Sequence, residues 1–179
     1  HTNWASGKSF FKKHKFEHIA TNREYSLALQ NKDLTQYKPL LDEVLNRGFT
    51  FVEPIKDGLH SDDHYKKLEE MRWSYFQDMP YPEGIIPTRV NYELWLKRHK
   101  LFEKDHYGIE LLALNPKGDY VGCTKLDTSY TEPQKCWTNN LGVIKNYRRQ
   151  KLATALKIEA LKRLKKRGFT EIRTDNEEN

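Results

Sequence analysis

The sequence predicts a mixed α/β fold, formally α+β, with a central, mainly antiparallel sheet and helices on both faces. A hairpin is indicated by apolar stretches at 107–114 and 120–126, on either side of the turn Asn115-Pro-Lys-Gly-Asp119. A third strand at 136–144 leads directly into a helix with apolar residues at helical spacing. A chain of 179 residues fits one such domain plus an appendage.

The amino-terminal third predicts two strands and two short helices. Residues 9–16 indicate the end of a short helix, and the alternating apolar side chains at 25–29 predict a strand. After a linker at 31–33, Thr35 is the predicted N-cap of a helix that Gly48 ends. A short strand, 49–52, follows.

Two further helices precede the hairpin. Ser61 is expected to begin the first of them, which runs toward Met79 before two prolines. Asn91 is the predicted cap of the second. The last helix should extend from Leu152 to Arg167, stop at Gly168 and lead to a strand at 169–174. Its apolar face is formed by Leu152, Ala153, Leu156, Ala160 and Leu164, with Ile158 expected outside that face.

The net charge of +6 favours an anionic partner, either a nucleic acid or a phosphate-rich cofactor, and charge alone does not choose between them. No apolar stretch approaches the roughly 20 residues that a bilayer requires, and the amino end lacks a signal-peptide pattern, so we expect a cytoplasmic protein without membrane association. The two cysteines, Cys123 and Cys136, are expected as free buried thiols, and no metal site is expected.

One segment concentrates backbone donors. A strand ending at 141–144, a turn at 146–151 and a helix start place unpaired N–H groups together, where the helix dipole adds positive charge. A pyrophosphate can occupy such a terminus, assisted by Arg148, Arg149 and Lys151. On geometry alone, an ordinary strand-to-helix turn with exposed basic residues is the favoured interpretation.

The residue types in this segment favour an anion site over an ordinary strand-to-helix turn. The string Val143-Ile-Lys-Asn-Tyr-Arg-Arg-Gln-Lys-Leu-Ala-Thr-Ala-Leu156 resembles the coenzyme A signature of the GNAT acyltransferase superfamily, Arg/Gln-x-x-Gly-x-Gly/Ala after a Val-containing strand. The similarity extends through the preceding hairpin and through 167–179. Lys151 stands where the family usually has glycine, which lets the backbone approach phosphate oxygens closely.

The resemblance implies acetyl-CoA as co-substrate and N-acetyl transfer to an amine acceptor, either a small molecule or a peptide amine. It also implies that the motif strand bonds the pantetheine arm, that the turn amides hold the pyrophosphate and that the asparagines near the carboxyl end approach the coenzyme. The cofactor-binding residues implied are Leu141, Gly142, Val143, Arg148, Arg149, Gln150, Lys151, Leu152, Ala153, Thr154, Asn176 and Asn179.

The catalytic acid and base are not identified by the sequence. Asparagines 139 and 140 occupy positions where some members carry a glutamate, so Glu110, Asp127 and Tyr130 are the remaining candidates, each with a salt bridge or packing as the alternative role. For the acceptor, the resemblance points to the loop residues Tyr81, Glu83 and Thr88.

Residues 1–30 resemble a different part of the superfamily. Asn3-Trp-Ala-Ser-Gly-Lys-Ser-Phe-Phe-Lys-Lys-His-Lys-Phe16 is similar to the helix that follows the fifth strand in members. We expect residues 1–30 to be the tail of a preceding unit, or a swapped or permuted closing segment, and residues 35–179 to form a GNAT domain that is incomplete at its carboxyl end. A second GNAT unit or chain would then complete the fold.

Two placements follow for residues 3–29: apart from the core, or beside the strand 169–174. The rival function is a non-catalytic GNAT-like module that binds coenzyme A weakly or binds nucleic acid through its basic surface. Nucleic acid is the less favoured partner.

Overall fold

The computed structural model describes residues 5–18, 21–79, 81, 84–104, 108–128 and 131–177, apart from the side chains of Phe102 and Glu177. The helices are α1 (Ala5–Lys13), α2 (Lys38–Asn46), α3 (Asp62–Phe76), α4 (Tyr92–Lys104) and α5 (Leu152–Lys166). The strands are β1 (Asn22–Ala28), β2 (Thr50–Val52), β3 (Ile109–Leu114), β4 (Tyr120–Thr128), β5 (Lys135–Val143) and β6 (Glu171–Glu177).

The strands form one six-stranded sheet in the order β1-β6-β5-β4-β3-β2. Every neighbouring pair is antiparallel except β5 and β6, which run parallel. The parallel pair requires a crossover, and α5 supplies it. The predicted mixed fold with a mainly antiparallel sheet is confirmed.

Side-chain caps begin two helices as expected. Ser61 Oγ accepts a hydrogen bond from the His64 backbone N–H at 3.1 Å, and Asn91 Oδ1 accepts one from that of Glu93 at 2.9 Å. The prediction for Thr35 is wrong. Asp33 Oδ1 accepts bonds from both the backbone N–H and the hydroxyl of Thr35, which starts a 3₁₀ turn before α2.

Helices cover both faces of the sheet. On one face, α5 packs against Leu111, Ala113 and Val121. On the other, Leu68, Met71 and Tyr75 of α3 pack against Leu112 and Cys123. Because side chains alternate along β3, Leu112 lies on the opposite side of the sheet from Leu111 and Ala113. In β4 a register shift between Tyr120 and Gly122 leaves Val121 as a bulge, which places it on the α5 side although Cys123 lies on the α3 side.

The apolar face of α5 differs from the predicted one: Ala153, which was expected on it, is exposed, and the buried face is wider. Ile158 is only 6% exposed, and Ala155 and Leu161 are buried beside it, so the expectation for Ile158 is wrong. The helix lies in the core, so its buried surface is broader than a single narrow stripe. Cys123 and Cys136 are buried and free, as predicted. Among the described residues, no helix has both the length and the apolarity that spanning a membrane requires.

The amino-terminal segment divides into two parts. Strand β1 lies antiparallel beside β6, from Asn22 opposite Glu177 to Ala28 opposite Glu171. It therefore takes the second of the two expected placements. Helix α1 contributes no buried residue, and Phe10, Phe11 and Phe16 pack mainly on one another with more than half of each side chain exposed. The assignment of 1–30 to a preceding unit stays a prediction.

Candidate active site

Strands β5 and β6 separate partway along their length. Their paired residues end at Trp137 and Arg173, after which β5 continues beside β4 and β6 continues beside β1. Opposite this separation, the register of β4 and β5 shifts: Lys125 pairs with Asn140 and Leu126 with Thr138, which leaves Asn139 as a bulge. The sheet therefore opens at the middle of β5 and leaves a backbone edge that no strand of the described residues pairs with.

The turn before α5 leaves its backbone donors open. After a 3₁₀ turn at Lys145–Tyr147, Arg149 and Lys151 adopt left-handed backbone conformations, with φ of 60° and 65°, and α5 begins at Leu152. Among the described residues, no side chain caps this helix, and no acceptor contacts the backbone N–H groups of Leu152, Ala153 or Thr154. Ala153 and Thr154 are exposed, so an anion can reach this helix terminus.

Several contacts hold this turn in place. Arg148 donates to the Val143 carbonyl at 2.9 Å and to Asp78 Oδ2 at 2.7 Å, which joins the turn to the end of β5 and to the segment after α3. Arg47 donates to the Gln150 carbonyl at 2.5 Å. The Arg148 guanidinium is thus occupied by contacts within the protein. Arg149, in contrast, is exposed and makes no ion pair with any described residue.

Lys151 occupies the position of the expected glycine with the backbone conformation that glycine favours. A φ of 65° lies in the left-handed region, where a Cβ is strained. Its Nζ bonds Glu43 Oε2 of α2 at 2.6 Å, and this hydrogen bond lowers the pKa of Glu43. The ammonium group therefore already has a carboxylate partner.

The end of β5 lies against Tyr75 of α3. A Cβ on Gly142 would come within 2.3 Å of the Tyr75 ring, so only glycine allows this approach. The Tyr75 hydroxyl donates to Asn140 Oδ1 at 2.6 Å and lies 3.1 Å from Cys123 Sγ, whose pKa is raised by burial. Leu141 is 37% exposed and Val143 is buried, so the predicted pantetheine segment alternates between surface and core.

A cavity of about 430 Å³ opens over the bulge of β5. It lies between α3 and α4, under the loop that joins them. Its walls include the sequence-predicted Tyr81 and Thr88, whereas Glu83 lies outside the described residues. The lining residues are Glu69, Arg72, Trp73, Phe76, Tyr81, Pro87, Thr88, Arg89, Val90, Trp95, Arg98, His99, Lys125, Asn139 and Asn140.

The two candidate carboxylate bases are held by polar partners. Glu110 is buried and forms an ion pair with Arg72 of α3. Asp127 accepts a hydrogen bond from Asn139 Nδ2 at 2.6 Å and lies 3.8 Å from Lys125 Nζ. Burial lowers the pKa of Lys125. The ion-pair alternative considered for Glu110 is therefore what the structure shows.

The remaining predicted residues lie apart from this cluster or beyond description. Asn176 is exposed on β6 opposite Arg23. Tyr130 and Asn179 lie outside the described residues. The sequence analysis missed the cavity wall from α4, although Trp95, Arg98 and His99 follow the i, i+3, i+4 spacing that places side chains on one helix face.

Comparison with known proteins fits this geometry. The sequence model described as the Acetyltransferase (GNAT) family matches residues 65–179. The comparison with curated proteins found no match.

Three solved structures with a similar fold are informative. A GCN5-related N-acetyltransferase from Sphaerobacter thermophilus is 16% identical with a TM-score of 0.68, over 98% of this chain and 48% of that one. A tandem GNAT protein from the clavulanic acid biosynthesis pathway is 14% identical with a TM-score of 0.62, over 97% and 50%. A GNAT family acetyltransferase from Brucella melitensis, in complex with acetyl-CoA, is 12% identical with a TM-score of 0.50, over 69% and 72%.

The chain spans about half the length of the first two of these proteins. At these identities the structural similarity shows the fold, whereas the family match covers more than half of the chain. The chain belongs to the GNAT acetyltransferase family.

Proposed function

We propose that this domain transfers an acetyl group from acetyl-CoA to the amine of a small molecule or of a peptide. One observation carries the proposal: the opening between β5 and β6 begins where the bulge at Asn139 meets the cavity under α3 and α4. A thioester lying in that opening would face an amine lying in that cavity. The cavity volume of about 430 Å³ is in the range of small-molecule sites.

The coenzyme half of the site would use backbone groups. The open N–H groups of Leu152, Ala153 and Thr154 suit a pyrophosphate, and the exposed guanidinium of Arg149 adds positive charge beside them. The free edge of β5 at 141–143 suits the amide groups of pantetheine, which would bond to it as an added strand does. The observed residues therefore fit acetyl-CoA.

The reaction then follows from the chemistry of thioesters. The amine nitrogen attacks the carbonyl carbon, and a backbone N–H near Val143 stabilises the resulting oxyanion. The C–S bond breaks, coenzyme A leaves as a thiolate, and the proton lost by the amine balances the proton that the thiolate takes up. The products are the N-acetylated amine and coenzyme A.

Asp127 suits the role of base better than Glu110 does. Its side chain is 17% exposed against 6% for Glu110, and it contacts Asn139, which lines the cavity. Glu110 is paired directly with Arg72, and both side chains of this pair are largely buried. We propose that Asp127 accepts the amine proton through a bound water molecule.

Two measurements test the function. Calorimetry should show acetyl-CoA and coenzyme A binding to the purified chain, and release of free thiol from acetyl-CoA should depend on an added amine. Asp127→Asn should lower kcat by roughly a hundredfold or more, as removal of a general base does, without changing coenzyme affinity. Binding without amine-dependent turnover would favour a non-catalytic module, and binding of a short RNA in place of coenzyme A would favour the nucleic-acid alternative.

A further inference from the structure

The acceptor cavity is lined by more positive than negative side chains. The lining includes one carboxylate, Glu69, and four cationic side chains, those of Arg72, Arg89, Arg98 and Lys125. Apolar and aromatic groups form much of the remaining wall. A site of this composition selects a ligand that is both partly apolar and anionic.

Three of these cations lie beside carboxylates of the protein. Arg72 pairs with Glu110. Arg89 donates to both oxygens of Glu69, at 3.0 and 2.6 Å, and to Glu70. Lys125 Nζ lies 3.8 Å from Asp127 Oδ1. Their charges are therefore largely balanced before any ligand arrives.

Arg98 differs from these three residues. It is exposed on α4, and it makes no hydrogen bond or ion pair with any described residue. The helix face that presents it packs against α3, because the Tyr65 ring lies 5.8 Å from that of His99 between centroids and the Arg72 guanidinium lies 6.0 Å from the centre of the Trp95 ring. The planar guanidinium of Arg98 has several donors directed in a fork, which matches the two oxygens of a carboxylate.

We propose that the acceptor is an amine that also carries a carboxylate, as an apolar amino acid does, and that Arg98 binds this carboxylate. The inference rests on the proposed acetyl transfer, since it places the amine at the bulge beside Asn139 and Asn140. The hydrocarbon part of the acceptor lies against Trp73 and Trp95, which line the cavity between α3 and α4. Arg98 is thus a specificity-determining residue.

The test compares acceptors that differ only in the carboxylate. L-phenylalanine is paired with phenethylamine, and 6-aminohexanoate with pentylamine, so that both a short and a long separation of amine and carboxylate are sampled. In each assay kcat and KM are measured by thiol release. The wild-type chain should prefer the carboxylate member of at least one pair by roughly tenfold or more in kcat/KM, the size expected of a charge-assisted hydrogen bond.

Variants assign the preference to Arg98. Arg98→Met keeps the length of the side chain and removes its charge, so it should abolish the preference by raising KM for the carboxylate acceptor. Arg98→Lys should keep part of it. Lys97→Met, at the adjacent position that does not line the cavity, is the matched control and should behave as wild type. The KM for acetyl-CoA should be the same in all four proteins.

A binding measurement separates failure of this inference from failure of the proposed function. Nuclear magnetic resonance titration compares N-acetyl-L-phenylalanine with N-acetylphenethylamine, with and without coenzyme A. A carboxylate preference that Arg98→Met removes supports the inference, even if no turnover is found and the acetyl transfer itself fails. Equal binding and equal turnover of the paired compounds, or a preference unchanged in Arg98→Met, would overturn it.

Discussion

The two halves of the candidate site use different chemical groups. The proposed coenzyme half is a contiguous stretch, 141–154, whose groups are mainly backbone N–H donors made available by strand separation and a helix start. The proposed acceptor half is a cavity assembled from α3, α4, the loop between them and two strands, and its groups are side chains. Backbone donors can be inferred from local sequence, whereas a side-chain cavity depends on which distant elements meet.

Substitutions in the two halves should differ in their effect on stability. A change in the coenzyme turn should alter ligand binding with little effect on folding, because the turn residues Ala153 and Thr154 are exposed. A change at the buried polar groups of the half formed by α3 and α4 should alter stability as well, because Glu110 and His99 are buried and Arg72 is nearly so.

The largest effect is expected where the two halves touch. Gly142→Ala places a methyl group within 2.3 Å of the Tyr75 ring, so β5 and α3 must separate. We expect the free energy of unfolding to fall by about 3 kcal/mol, as overpacked cores do. Urea denaturation measures it. If the clash is the cause, the double variant with Tyr75→Leu should cost less than the sum of the two single changes, and simple additivity would contradict this explanation.

The half formed by α3 and α4 should also carry the acid sensitivity of the fold. His64 of α3 is buried, its Nδ1 contacts the Tyr120 hydroxyl at 2.7 Å, and burial, with the nearby charges of His60 and Arg72, lowers its pKa to about 4. The unfolded chain binds a proton near pH 6.5 and the folded chain near pH 4, so stability is lost as pH falls between these values. The loss from this group should reach up to about 3 kcal/mol.

Denaturation of wild type and His64→Gln across pH 4 to 7 measures this loss. The variant retains a polar group for Tyr120 but cannot titrate, so its stability should change less with pH. His14→Gln, at an exposed position of the amino-terminal segment, is the control and should follow wild type. Identical slopes for wild type and His64→Gln would show that other groups cause the acid sensitivity.

In the coenzyme half, Ala153→Leu should obstruct the open helix terminus. The exposed methyl group of Ala153 allows phosphate oxygens to approach the N–H groups around it, and a larger side chain would fill that space. We expect acetyl-CoA to bind at least about tenfold more weakly, or about 1.4 kcal/mol, with unfolding unchanged. Lys166→Leu at the far end of α5 is the matched control. Unaltered affinity for acetyl-CoA in calorimetry would show that the pyrophosphate does not bind at this turn.

The smallest effect is expected at Lys151. Lys151→Gly relieves a left-handed backbone and removes a Cβ near the phosphate position, and the ammonium that it deletes already has Glu43 as a partner. Because phosphate oxygens can then approach the backbone more closely, we expect acetyl-CoA to bind about twofold to fivefold more tightly, or about 0.4 to 1 kcal/mol. Weaker binding that depends on salt concentration would show instead that the lysine charge contributes.

Prediction from sequence succeeded where the signal was local. The caps at Ser61 and Asn91, the hairpin turn and the end of α5 at Gly168 each depend on residues a few positions apart, and each is present. The prediction of a cap at Thr35 is wrong because Asp33, two residues earlier, also has an acceptor side chain, and it accepts the hydrogen bond from the Thr35 backbone N–H. Ile158 was misjudged because the width of a buried helix face depends on what packs around it.

The mixed fold, the strand-turn-helix segment and its likeness to a coenzyme A signature can be predicted from local sequence, because periodicity and helix-start geometry are properties of the local chain. Three features became evident from the folded arrangement alone: β1 lies beside β6, β5 and β6 separate after Trp137, and Arg98 lines the cavity without a partner among the described residues. These facts arise from contacts between segments far apart in sequence. Strand neighbours and charge pairs are chosen by the packing of the whole core, which no local pattern encodes.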